Sequence, residues 1–247
     1  MQNYNGFCTR HPILTFIIYI EIENYGIILS KEIFANVIYY ETCYKWTDIS
    51  NTKLQNHIVV LKDVFYLKKI YLIRHCEATG QEPKAKLTNE GLKQAQELVD
   101  FLKSKNIEYI VSSPFERAIK SIEPLADYNN LDINIDDRLI EKKLCNKNLS
   151  DWMDKLKNSF EELTICYDGG ESSNQAMNRG VQVIHELIKL DKNNIAVVTH
   201  GAILILILKY FDRNIGFSEW KRLLNPDVYL LEFKEDGNKE ILKLLMK

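Results

Sequence analysis

From Lys68 onward the chain alternates two kinds of apolar run, and that alternation restricts the folds open to it. KKIYLIRH, IEYIVSS and NIAVVTH are short and nearly continuously apolar before a polar end. Runs of this kind read as strands buried on both faces. The segments between them have helical spacing. In LTNEGLKQAQELVDFLKSK, Leu92, Ala95, Leu98, Val99 and Leu102 recur at that spacing and Thr88 is a good N-cap. FERAIKSIEPLADY is a second helix, with Pro124 bending or ending it. SSNQAMNRGVQVIHELIKL is a third, capped by Ser172 or Ser173, and GAILILILKYF is a fourth, apolar all round and so buried. DINIDDRL adds a strand. The expected class is α/β, a three-layer α/β/α sandwich with a mainly parallel central sheet. The tail, DVYLLEFKEDGNKEILKLLMK, reads as two strands around an Asp236-Gly237 turn, an antiparallel edge.

Residues 1–67 differ. They hold seven of the thirteen tyrosines among scattered short apolar runs, and ILTFIIYIEIENYGIIL reads as a hairpin turning at Asn24-Tyr25-Gly26. We divide the chain into an N-terminal extension of unassigned role, 1–67, and one domain, 68–247. No methionine lies between Met1 and Met153, and Leu67 directly precedes the first strand of the domain. Two readings stay open: a natural start at Leu67, or a small N-terminal domain with its own core.

A net charge of −2 lacks the basic excess of a nucleic-acid binder. The five cysteines are odd in number, widely spaced and without a C-x-x-C pair. That pattern suits free thiols in a reducing compartment, not a disulfide framework or a zinc site. The uncharged run Ile195–Leu208 is too short to span a bilayer. The apolar patch ILTFIIYI lacks the flanks of a signal peptide. The expectation is a cytoplasmic protein that binds neither membrane nor nucleic acid, with its oligomeric state open.

In open α/β sheets ligands sit beyond the carboxyl ends of the strands. The residues expected there are Arg74 and His75 after the first strand, Arg117 in SSPFER after the second and Glu141 after the third. His200 and Gly201 follow a later one. Two arginines, two histidines and a carboxylate suit a phosphate monoester. Guanidinium groups bind phosphate oxygens in pairs, and a helix start such as Gly201 adds N–H donors. A histidine can attack phosphorus and a carboxylic acid can protonate a leaving oxygen. His75-Cys76 also matches the start of the H-C-x5-R loop of cysteine-dependent phosphatases. In that reading the sixth residue after the cysteine should be arginine. Here it is Glu82, whose charge repels phosphate.

Another pattern fits more of the chain. IRHCEATG resembles the first motif of the histidine phosphatase superfamily, the phosphoglycerate mutase-like family, with Cys76 where glycine or alanine is usual. LTNEGLKQA, SSPFERAIKS (with Ser121 in place of threonine), RLIE, GGES and VVTHG resemble the later motifs, in the family's order. The resemblance implies a phosphoglycerate mutase-like fold and a metal-independent phosphatase of small phosphorylated metabolites, with no cofactor. It implies that His75 is the nucleophile, that Arg74, Arg117 and His200 hold the phosphoryl oxygens, and that Glu141 is the proton donor. It places Thr79, Gly80, Gly201 and Glu171 against the substrate, with Glu171 orienting a histidine.

Asp136, Asp137 and Glu171 compete with Glu141 for the acid. The Trp-Asn and W-E-G elements of the glycolytic mutases are absent from ATGQEPKAKL and KKLCNKNLSDW. That favours hydrolysis over a 2,3-bisphosphoglycerate-dependent mutase, the first rival. A non-catalytic phospho-ligand binding module is the second. Specificity is expected in the loops around Cys145–Gly170. Cys76 is expected to be tolerated but to make activity oxidation-sensitive. His185, Lys221 and Arg222 read as structural or solvated.

Overall fold

The computed structural model describes residues 67–147, 150–234 and 237–246, together with the backbone of 18–22 and 25–29. The chain divides into two compact units, Met1–Val59 and Val60–Lys247. In the first, β1 (Ile18–Ile22) pairs antiparallel with β2 (Tyr25–Leu29), Ile22 opposite Tyr25. The hairpin is there, but Tyr25 and Gly26 belong to its second strand and not to the turn, because they complete the pairing register. Asn24 and the rest of 1–67 apart from Leu67 lie outside the described residues, as does Asp236 of the final turn.

The second unit is built on a six-stranded sheet of order β5-β4-β6-β3-β7-β8. Its strands are β3 (Lys68–Arg74), β4 (Tyr109–Ser112), β5 (Ile133–Ile135), β6 (Asn194–Thr199), β7 (Asp227–Phe233) and β8 (Lys239–Leu244). β3, β4, β5 and β6 run parallel, and β7 and β8 add the antiparallel edge that the tail sequence indicated. The helices are α1 (Asn89–Leu102), α2 (Glu116–Asn129), α3 (Trp152–Glu161), α4 (Ser173–Leu187), α5 (Gly201–Phe211) and α6 (Phe217–Lys221).

The period of two along each strand divides the core into two layers. Ile70 and Leu72 of β3 join Val111, Ile195 and Val197 against Val183, Ile184 and Leu187 of α4 and the apolar run of α5. Tyr71 and Ile73 face the other way, with Ile110, Ala196 and Val198, against Ala95, Leu98 and Leu102 of α1 and Ala118, Ile122 and Leu125 of α2. This is the expected three-layer sandwich. α5 is buried from Gly201 to Leu208.

Local signals set most of the helix starts. Thr88 caps α1 by accepting from the Gly91 N–H, and Ser172 caps α4 in a reciprocal box with Gln175. Three expectations need correction. Leu92 is exposed, and the buried stripe of α1 begins instead at Gly91. Pro124 does not end α2, which runs on to Asn129 with Leu125 and Ala126 buried. The segment expected as loop around Cys145–Gly170 contains α3, held by buried Leu156 and Phe160.

Candidate active site

β3 and β6 are adjacent at the centre of the sheet and β4 flanks β6, so their carboxyl ends open side by side. Two backbone bonds carry the order just past the strands: His75 N–H donates to Thr199 O at 3.0 Å and Ser113 N–H to Val198 O at 2.9 Å. The Asn225 side-chain amide donates to His75 O at 2.7 Å. His75 is thus fixed at its own backbone before its side chain does anything.

The two ring nitrogens of His75 have different partners. Nδ1 lies 2.6 Å from Cys76 O, which can only accept, so Nδ1 carries the hydrogen. Nε2 accepts from Arg117 Nε at 3.1 Å and keeps its lone pair. Burial pushes His75 down to about 3, against the pull of the Cys76 carbonyl, and the charges of Arg117 and Arg74 push the same way. The second histidine is also neutral. His200 is fully buried, 5.1 Å from His75 between ring centroids, and its titration is driven well below the ordinary range by burial and then by its cationic neighbours. Its Nε2 lies 2.8 Å from Ser113 Oγ, while Nδ1 is buried without a hydrogen-bond partner.

Arg117 is fully buried on the first turns of α2. Its Nη1 donates to the carbonyls of Gln81 and Glu82, at 3.1 and 2.9 Å, and its guanidinium lies 4.9 Å from the Phe115 ring. Glu82, the residue that breaks the cysteine-phosphatase pattern, thus helps to hold the arginine through its main chain. Arg74 donates through Nη1 to Leu223 O and Leu224 O, at 3.1 and 3.3 Å, and its buried Nε has no partner. A buried and a partly buried guanidinium group beside two neutral imidazoles, with orphaned donors, form a site that an anion would complete.

Glu141 reaches the N-terminus of α5. Its carboxylate accepts from Ala202 N–H and Ile203 N–H, both at 3.2 Å, and from Lys142 N–H at 2.7 Å. It is close enough to Arg74 and Arg117 to raise both against the effect of burial. Among its rivals, Asp136 is bound to Arg138 and caps a short 3-10 turn at Asp137–Leu139, and Asp137 is exposed. Glu171 is not bonded to a histidine, contrary to expectation. It forms a two-point ion pair with Arg179, at 2.6 and 3.0 Å, and accepts from Lys143 N–H at 3.1 Å. Arg179 also donates to Arg138 O and Ile140 O. The guanidinium outcompetes a neutral ring for the carboxylate because the bond is charge-assisted at both ends.

Thr79 and Gly80 lie on the loop between β3 and α1. Thr79 is exposed, and both its N–H and its hydroxyl bond to Lys86 O. Gly201 opens α5 directly after His200. Cys76 points away from this constellation into the α1/α2 layer of the core, beside Tyr71 and Ala95. Its N–H donates to Ser121 Oγ at 2.8 Å, and burial pushes its thiol up to about 12. A thiol so held is a packing group, and its burial argues against the expected oxidation sensitivity.

Sequence reading assigned no role to Arg179, Asn225 or Lys142. Lys142 is buried next to Glu141 and its Nζ has no hydrogen-bond partner. No spacing signal marks Arg179 or Asn225, since each bonds a segment that only the fold brings to it. Among the described residues no group of three or more His, Cys, Asp or Glu side chains could hold a metal ion, and no helix is long and apolar enough to cross a membrane.

A family model described as the histidine phosphatase superfamily, branch 1, matches residues 70–244. Solved structures share the fold. "Mycobacterial hydrolase 1" is 19% identical with a TM-score of 0.60, covering 72% of this chain and 97% of its own. A mycobacterial glucosyl-3-phosphoglycerate phosphatase is 19% identical with a TM-score of 0.58, again over 72% and 97%. A mutant phosphoserine phosphatase from Entamoeba histolytica, in complex with phosphoserine, is 21% identical with a TM-score of 0.58, over 70% and 94%. No curated protein matches by sequence.

Proposed function

The chain belongs to the histidine phosphatase superfamily, branch 1, and from that premise we propose that it hydrolyses small phosphomonoesters through a phosphohistidine at His75, without a metal ion. The observation that carries this reading is the fixed tautomer of His75. Nδ1–H is tied to the Cys76 carbonyl, and the Nε2 lone pair faces Arg117. An arriving phosphoryl oxygen offers the guanidinium a charged acceptor in place of a neutral ring nitrogen. Arg117 then turns to the phosphate and Nε2 is free to attack.

The bond from Nε2 to phosphorus forms as the bond to the leaving oxygen breaks. Arg74 and Arg117 neutralise the charge of the phosphoryl oxygens and neutral His200 hydrogen-bonds to them, work that is worth most in a buried site. In its protonated form Glu141 gives its proton to the leaving oxygen, and the carboxylate so formed takes a proton from the water that cleaves the phosphohistidine. Its bonds to the start of α5 hold the carboxylate in place near both arginines. Two structural relatives are a glucosyl-3-phosphoglycerate phosphatase and a phosphoserine phosphatase, which supports the same chemistry here. The free thiols of the described residues suit a cytoplasmic, reducing compartment.

The test is hydrolysis of an aryl phosphate in the presence of EDTA. His75→Ala is expected to lose about a thousandfold or more in kcat, while Cys76→Ser stays within a few-fold of the unmodified protein. Loss in Cys76→Ser with activity in His75→Ala would place the nucleophile on sulfur. A requirement for bisphosphoglycerate would make the protein a phosphotransferase, and phosphate binding without turnover would make it a binding module.

A further inference from the structure

We propose that Trp152 and Trp220 form the leaving-group side of the phosphate site, and that the preferred substrates are monoesters whose alcohol carries a flat apolar ring. The proposal rests on the phosphatase reading above. Trp220 of α6 and Arg74 of β3 approach one point from two directions: a Cβ added to Gly201 would lie 3.2 Å from Trp220 Nε1 and 3.5 Å from Arg74 Nε. Gly201 directly follows His200, and Arg74 directly precedes His75. The indole of Trp220 therefore borders the group that holds the phosphoryl oxygens.

Trp152 comes from α3, far away in the sequence, and meets Trp220 edge to face at 6.2 Å and 81°. Phe217 stacks on Trp220 at 5.5 Å and 12°, which fixes the plane of the indole. Trp152 is 46% exposed, and Leu224, whose carbonyl accepts from Arg74, is 66% exposed. Large apolar side chains left open at the rim of a cationic site mark a surface that a ligand can cover. Ring faces and edges reward a flat partner with contact energy beyond its buried area. A small polyol would cover little of this rim.

Two primary alkyl esters that differ by one phenyl group isolate the contact: 2-phenylethyl phosphate and ethyl phosphate. The unmodified protein is expected to favour the phenylethyl ester roughly tenfold or more in kcat/KM. In Trp152→Leu, and separately in Trp220→Leu, that preference is expected to fall to within about threefold. Leucine keeps an apolar anchor between α3 and α6, and thermal unfolding confirms that each variant is folded. If the aromatics only hold the two helices together, both esters lose in proportion and the preference survives; that result, or no preference in the unmodified protein, overturns the proposal. If neither ester is turned over, equilibrium dialysis decides. Tighter binding of the phenylethyl ester, lost in Trp152→Leu, keeps the subsite while the hydrolase reading falls, and equal binding of the two esters overturns the subsite.

Discussion

At His75, two hydrogen bonds decide which nitrogen is available for chemistry, and neither bond is visible in IRHCEATG. The sequence put His75 and Cys76 side by side as rival nucleophiles. Their side chains then part: the imidazole turns toward Arg117 and the thiol into the core beside Ala95. Iodoacetamide on the native protein is accordingly expected to modify Cys166 and Cys145 well before Cys76, read by peptide mass spectrometry, since Cys166 is exposed, Cys145 half-buried and Cys76 buried. Early labelling of Cys76 would contradict the burial described. The histidines also shape stability. Burial holds His75 down to about 3 in the fold against 6.5 ordinarily, so between those values the unfolded chain binds a proton that the folded one does not. Stability present above pH 6.5 is therefore lost as the pH falls toward 3, at up to about 1.4 kcal/mol per pH unit for each such group. His200 shifts in the same direction. Urea unfolding at pH 7 and pH 5 should show this decline, and a shallower one in His75→Ala. An unchanged slope in that variant would mean that His75 titrates normally in the fold.

At the scale of elements, the capped and periodic helices were legible and the loop-borne ones were not. α1 and α4 carry their own start signals in Thr88 and Ser172, whereas α3 has no side-chain cap and rests on Trp152, Leu156 and Phe160 meeting a surface made by other segments. Short helices are stabilised mainly by such packing, so local pattern underdetermines them. The same limit applied to Glu171. Its GGES context marked it for the site, but only the fold brings Arg179 of α4 to it. Arg179 ties Glu171 to the carbonyls of Arg138 and Ile140, and so stiffens the segment that presents Glu141. Arg179→Met is expected to cost about 2–3 kcal/mol in denaturant unfolding, because it leaves a half-buried carboxylate unpaired. It is expected to lower kcat roughly tenfold while KM changes less, because the arginine acts through the position of Glu141. Full activity in a destabilised Arg179→Met would reduce the clamp to a purely structural role.

Over the whole molecule, the match to the superfamily spans residues 70–244, and the second compact unit begins at Val60. We propose that residues 68–247 form the complete catalytic domain. Expressed alone, that piece should unfold in one cooperative transition and keep kcat/KM within about twofold of the full chain. A loss of more than tenfold would assign residues 1–67 a part in the site. The sequence by itself determined the layer order, the antiparallel edge and the set of residues carried to the strand ends. Strand and helix periods, caps and the order of motifs are local properties, and connection rules then leave few topologies. It could not determine which groups face one another: that His75 points Nε2 at Arg117, that Glu171 meets Arg179, or that Trp152 meets Trp220. Each of those pairs joins segments far apart in the chain, and their separation depends on side-chain packing in three dimensions, which no spacing in one dimension encodes.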